Sequence, residues 1–170
     1  NMLEYGHTYY VTIDNGVLNL ADGSFQGVTK EDEWIFTTKS DMPELSDTLI
    51  VDATGKGDFN TVQGALDFIP DFNEQQTVIL VNPGDYEELV YTRNKWNVKI
   101  KGAGMADTKV HYANNEVFNP HPLTVKTNEW PGTFPSRRAA FMLDNCKDIV
   151  IEDMTIATDL KGQAEGLLIN

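Results

Sequence analysis

Hydrophobic residues recur along this chain with two different periods. Between Val62 and Ile69 the apolar side chains Val62, Ala65, Leu66 and Ile69 fall at helical spacing, which predicts one amphipathic helix. Asn60 is placed to cap its start, Gln63 three residues on can reach back to it, and Pro70 stops it. Beyond the helix the period is two. "LIVDA" precedes it, and "TVILV", "ELVYT", "NVKIKG", "TKVHY", "AAFMLDN", "DIVIED", "MTIAT" and "EGLLIN" follow it. Within these segments alternate residues are apolar, as in Val98 and Ile100, Ile149 and Ile151, Met154 and Ile156, or Leu167 and Ile169. Asn145 and Asn170 close two of the segments, where a left-handed backbone suits asparagine. Short strands at quasi-regular spacing fit a sandwich, or a solenoid that stacks strand on strand. A single helix ahead of them fits the solenoid better, because the first coil has an open end that a helix can cover.

The first 38 residues have another texture. "TYYVTI", "GVLNLADG" and "EWIFTT" are short alternating runs divided by the turn signals Asn15-Gly16 and Asp22-Gly23. Residues 39–48, "KSDMPELSDT", are polar, aperiodic and contain Pro43, which reads as a linker.

Charge narrows the possible functions. Of the 170 residues 26 are acidic and 13 basic, a formal net charge of −13. Residues 1–48 hold nine acids against two bases, and 49–170 hold seventeen against eleven, so the excess is spread over the whole chain. Such a surface repels phosphate backbones, which argues against nucleic-acid binding. No apolar run reaches the roughly 18 residues of a membrane span. The start, "NMLEYGHTYYVTIDNG", lacks signal-peptide grammar, so an export signal is expected outside this sequence. Cys146 is the single cysteine and reads as a small packing residue. His7, His111 and His121 have no mutual ligand spacing, which leaves no case for zinc.

The chemistry turns on "DATGKGDFNTVQGALDFIP". A glycine turn ahead of a helix could cradle phosphate, but Lys56 is followed by Gly57 rather than a hydroxyl, and a third fingerprint glycine is replaced by Asn60. "IKGAGMAD" fails in the same way at Asp107. The stretch instead resembles the start of pectin methylesterases, with their Gly-x-Gly-Asp-Phe turn, Thr-Val, Ala-Leu and Pro. The likeness continues in "VILVNPGDYEELVYTRNKWNVKIKGAG", in "DIVIEDMTIAT" and in "GQAEGLLIN", covering Leu49 to Asn170. It implies an all-β, right-handed parallel β-helix, in which the glycine turn is a structural bend. Residues 1–38 resemble the closing strands of a bacterial Ig-like domain of the kind found in secreted proteins, carried by "YGHTYYVTID", "LADGSFQG" and "WIFTT". An Ig-type sandwich needs about 100 residues, so its first strands would precede Asn1.

The pectinesterase resemblance implies hydrolysis of methyl esters of polygalacturonate by two aspartates on neighbouring coils, with no metal or organic cofactor. Their motifs do not occur here, so the pair is expected beyond Asn170 and the chain alone is expected to be inactive. Gln163 matches the family glutamine that contacts substrate and supports the oxyanion, and Thr133 in "GTFPS" matches a family substrate-contacting threonine. Arg137 and Arg138 depart from the small residues usual after that threonine. The paired Arg137-Arg138 could meet galacturonate carboxylates or form surface ion pairs. Trp130 could stack on a sugar or pack its long loop, and Glu87-Glu88 reads as a solvated or hydrogen-bonded corner. Asp148, Glu152 and Asp153 read as outward or turn positions rather than a catalytic pair. The alternatives are a pectate lyase on a similar β-helix and a non-catalytic carbohydrate-binding or adhesive module. In each case the last strand is expected to be covered by downstream coils or another chain.

Overall fold

The structure, a computed structural model, describes residues 3–44, 46–115, 139–162 and 164–170. It divides into two compact units, Asn1–Glu44 and Leu45–Asn170.

In the first unit, β1 (Thr8–Tyr10) and β2 (Ile35–Thr37) form an antiparallel pair, extended by a bridge between Ile13 and Val28. Tyr9 stacks on Phe36 across the pair at 5.7 Å. The middle run "GVLNLADG" is turn and irregular chain rather than strand, and Val17, Leu18 and Leu20 are all exposed. Alternation alone could not make a strand there, since among the described residues no neighbouring strand offers that segment its hydrogen bonds.

The second unit is a parallel β-helix. After β3 (Thr48–Val51) comes α1 (Val62–Phe68), and then three coils follow. The first coil is β4 (Thr77–Val81), β5 (Gly84–Glu87) and β6 (Val90–Arg93). The second is β7 (Trp96–Lys101), β8 (Thr108–Tyr112) and β9 (Ala139–Asp144). The third is β10 (Lys147–Glu152), β11 (Thr155–Thr158) and β12 (Glu165–Ile169). Each coil gives one strand to each of three sheets, ordered β3-β4-β7-β10, β5-β8-β11 and β6-β9-β12. Every pairing between these strands is parallel, which excludes the antiparallel sandwich left open by periodicity.

Alternation becomes a core because equivalent residues stack from coil to coil. Leu49, Ile79, Ile100 and Ile151 occupy one register position of the first sheet. Tyr86, Val110 and Ile156 do so in the second, and Val90, Phe141 and Leu167 in the third. Leu49, Ile79, Ile100, Val110 and Phe141 are each wholly buried. Burial of one such side chain stabilises by about 1.5–3 kcal/mol, so these stacks are the main favourable term.

The helix stripe is as predicted, with Val62, Ala65, Leu66 and Ile69 buried against β3, β4 and β6 at the start of the tube. The cap differs by one residue. Thr61 is the N-cap, accepting from the Gly64 N–H at 3.0 Å, because Asn60 precedes the extended residue from which the helix turns. Gln63 does not reach back. Its amide bonds the Tyr91 N–H and carbonyl and so ties the helix to β6. β5 is a strand missed by the alternation pattern: "GDYE" reads as a turn, but Tyr86 points inward and bonds the Asn82 carbonyl at 2.9 Å.

Candidate functional site

The glycine turn is packed onto β3 at its Gly57 end. The Phe59 N–H bonds the Ile50 carbonyl and the Asp52 N–H bonds the Phe59 carbonyl, folding the turn back along β3. A Cβ on Gly57 would lie 2.6 Å from that Ile50 oxygen, so the close approach requires glycine. The helix start, where an anion would sit, is filled from within. Glu88 Oε1 accepts from the Val62 N–H at 2.8 Å and Oε2 from the Gln63 N–H at 2.9 Å. Burial raises the Glu88 carboxyl, only partly offset by those two backbone donors. The sequence marked Glu87-Glu88 as a corner, yet the two differ: Glu87 is exposed and Glu88 caps a helix 25 residues upstream.

Polar chemistry on the tube lies on its outer faces, in rows across neighbouring coils. On the first sheet Glu152 sits 2.8 Å from Lys99 Nζ and 3.1 Å from Lys101 Nζ, and Asp153 lies 3.3 Å from Lys101. The Lys99 ammonium, then that of Lys101, holds the Glu152 carboxyl below its usual range. Asp148, the second residue of β10, is exposed with φ 53°, and its carboxylate lies 3.8 Å from Lys147 Nζ. These three acids are thus ion-paired or at a turn, as the sequence implied, and none faces a second free carboxylate.

On the third sheet Asp144 is buried. It accepts from Arg93 Nε at 2.8 Å, from the Tyr91 hydroxyl at 3.2 Å and from Asn170 Nδ2 at 2.8 Å. Its partners come from the coils on either side of its own, which no local motif announces. Asn145, with φ 49°, stacks its amide on Asn94 of the coil below at 2.7 Å. Cys146 packs on the core with its thiol toward the Asp144 carbonyl, and burial raises the thiol above its ordinary value. On the second sheet His111 lies between Asp85 and Asp159.

Gln163 and Thr133, the two substrate residues carried by the resemblance, lie outside the described residues, as do Trp130, Arg137 and Arg138. The chain leading to Gln163 is well anchored. The Asp159 N–H bonds the Tyr112 carbonyl, Thr158 Oγ1 donates to Asn114 O at 2.6 Å, and Asn115 Nδ2 donates to Lys161 O at 3.1 Å. Among the described residues this is therefore a scaffold with structural polar rows, and none of the described carboxylates forms a nucleophile and acid pair.

Comparison with known proteins agrees with this architecture. A family model described as Pectinesterase matches residues 48–167. A probable pectinesterase (number 67) of Arabidopsis thaliana is 33% identical over 96 residues, covering 52% of this chain and 28% of that protein. A pectinesterase/pectinesterase inhibitor of Ficus pumila var. awkeotsang is 33% identical over 75 residues, covering 44% and 14%. Among solved structures, a pectin methylesterase from carrot superposes with a TM-score of 0.58 at 21% identity, over 76% of this chain and 37% of that one. A pectin methylesterase mutant crystallised with a hexasaccharide gives 0.50 at 20% identity, over 71% and 38%. The chain thus spans little more than a third of either solved structure and less of the curated relatives.

Proposed function

The chain belongs to the pectinesterase family, and we propose that it supplies the N-terminal coils of a carbohydrate esterase that removes methyl groups from polygalacturonate. The observation that carries this reading is the family match over 48–167 coinciding with the parallel coils from β3 to β12. In such an esterase a carboxylate attacks the ester carbonyl and a second carboxyl acts as acid and then base, while an amide steadies the oxyanion. Gln163 takes the amide role and Thr133 contacts the polymer. The two aspartates come from coils after Asn170, so this chain does not turn over alone. The half-exposed apolar end of the third coil supports that placement. Leu167 is 40% and Ile169 71% exposed, whereas Phe141 one coil earlier is fully buried.

Residues 1–38 are the closing strands of an Ig-like domain, 39–48 a linker, and the protein acts outside the cell where the polymer is. The apolar surface of the first unit, including Tyr10, Trp34 and Ile35, supports its being part of a larger sandwich, since two strands alone are marginal in water.

The test is methanol release from methyl-esterified polygalacturonate with chelator present. A protein extended through the following coils releases methanol, and the chain ending at Asn170 does not. Calcium-dependent formation of an unsaturated, ultraviolet-absorbing product instead would make it a lyase. Polymer binding with neither product would make it a binding module.

A further inference from the structure

The first unit contains two turns with a glycine after an acid or amide, Asn15-Gly16 and Asp22-Gly23, and all four residues are exposed. Their hydrogen bonding differs. The Asp14 carbonyl accepts from the Val17 N–H at 3.2 Å, so Asn15 and Gly16 are the central residues of a turn, with Gly16 at φ 87°. Among the described residues the Gly16 N–H makes no hydrogen bond, and nothing stands within 4 Å of where a Gly16 Cβ would lie. The Asn15 carboxamide is restrained there by one long bond, from its Nδ2 to Gln26 Oε1 at 3.4 Å. In the second turn the Gly23 N–H donates to the Leu20 carbonyl at 2.9 Å. Asp22 Oδ1 accepts from the Ser24 N–H at 3.0 Å and from the Ser24 hydroxyl at 2.7 Å, which hold that carboxyl below its usual range and ionised.

This contrast has a covalent consequence. A peptide nitrogen that follows asparagine can attack that residue's side-chain carbonyl when no Cβ shields it and no bond engages it. We propose that Asn15 is a self-modifying site, whose carboxamide is consumed by the Gly16 nitrogen in the folded protein. The bond from Gly16 N to Asn15 Cγ forms, the Gly16 proton leaves, and Nδ2 departs as ammonia. The cyclic imide then takes up water and opens at either carbonyl. One product is aspartate at position 15, and the other is its β-linked isomer, with Cβ and Cγ in the main chain. Either adds a negative charge to the first unit. The β-linked form also lengthens the chain where it has no slack, since a Cβ on Gly27 would collide with the Ile13 carbonyl oxygen and stand 3.0 Å from the Asn15 nitrogen. The adjoining Ile13–Val28 bridge is thereby loosened. Asp22 is spared, because an ionised carboxylate offers no leaving group and the Gly23 nitrogen is engaged. The inference stands apart from the esterase reading, since it needs only the turns of the first unit.

Mass spectrometry tests it. The whole chain is incubated folded in mildly alkaline buffer, in parallel with a sample in denaturant, and both are cleaved after Lys30. Fragment masses of residues 1–30 separate Asn15 from Asn19, where the following Leu20 shields the peptide nitrogen. In the folded chain Asn15 should gain the amide-to-acid mass difference roughly tenfold faster than Asn19, a barrier difference of about 1.4 kcal/mol. The product should resolve chromatographically into the two isomers, with faster amide exchange at Ile13 and Val28 in the β-linked one. Asp22 should isomerise in denaturant and not in the folded chain. Asn15→Gln, which would have to close a larger ring, should leave the peptide mass unchanged. An Asn15 amide that persists in the folded chain would overturn the proposal, as would conversion of Asn19 at the same rate.

Discussion

At the scale of single residues, the decisive side chains of this tube act across coils. Glu88 satisfies two of the backbone donors that the first turn of α1 leaves open, using both carboxylate oxygens. Glu88→Ala should therefore cost about 1–2 kcal/mol in denaturant unfolding, the usual worth of a cap. Glu88→Gln should fall between, since one of its two groups is a donor facing a donor. The pH sign is separable. Burial raises the folded Glu88 carboxyl above 4.5, so its contribution is complete below 4.5 and declines as pH rises through the folded value. Glu88→Gln should abolish that decline in a stability-against-pH series. Asp144 is the other such residue. Its buried carboxylate is shared by Arg93, Tyr91 and Asn170, so Asp144→Ala should lose about 2 kcal/mol, measured the same way. Nothing in the sequence near either acid reveals this role. Asp144 meets Tyr91 from 53 residues away, and Glu88 meets Val62 from 26. Such separations become contacts only once the length of a coil is known.

At the scale of elements, what was legible is what repeats every second residue. Val98 and Ile100 alternate with Lys99 and Lys101, and the structure puts the first pair inside and the second in the ion-paired row. β5 escaped because its single inward residue, Tyr86, is flanked by Asp85 and Glu87 and preceded by Gly84, a composition that resembles a turn. The capping helix was legible from its stripe and β6 from "ELVYT", while the Gln63–Tyr91 bonds that join them were not. The candidate site was hardly legible as geometry: resemblance supplied Gln163 and Thr133, while the cross-coil rows required the register. Turns set that register. A Cβ on Gly102 would come within 2.2 Å of the Asp153 carbonyl oxygen, so the first turn after β7 packs directly on that after β10. Gly102→Ala must push these two turns apart. The expected outcome is faster amide exchange in β10 and β11 with α1 and β4 unaffected. Ile100→Ala, by contrast, empties a rung between Ile79 and Ile151 and should lower stability by about 2–5 kcal/mol in unfolding.

At the scale of the whole molecule, the surface acids and the tube axis make separate predictions. The Thr54 hydroxyl lowers Asp52, Lys95 lowers Asp71, Lys99 lowers Glu152 and His111 lowers Asp159. Each contributes stability that is complete above its unfolded value, 3.8 for aspartate and 4.5 for glutamate, and is lost as pH falls through the lower folded value. Thermal midpoints should accordingly drop as pH falls below this range, against the opposite slope from Glu88. Along the axis, order is graded because each coil contacts only its neighbours. The start is sealed by α1, and the second coil has neighbours on both sides. In the third coil Ile149, Ile151, Met154 and Ile156 are only partly buried against the core, and β12 pairs with β9 alone among the described strands. Nearest-neighbour stabilisation then implies that amide protection decreases from β4 and β7 to β10, β11 and β12, as fraying from one end. Extending the polypeptide by one further coil should raise protection in β12 toward that of β9 and leave β4 unchanged. Uniform protection along the tube, with no gain in β12 on extension, would mean the coils fold as one indivisible block rather than as stacked layers.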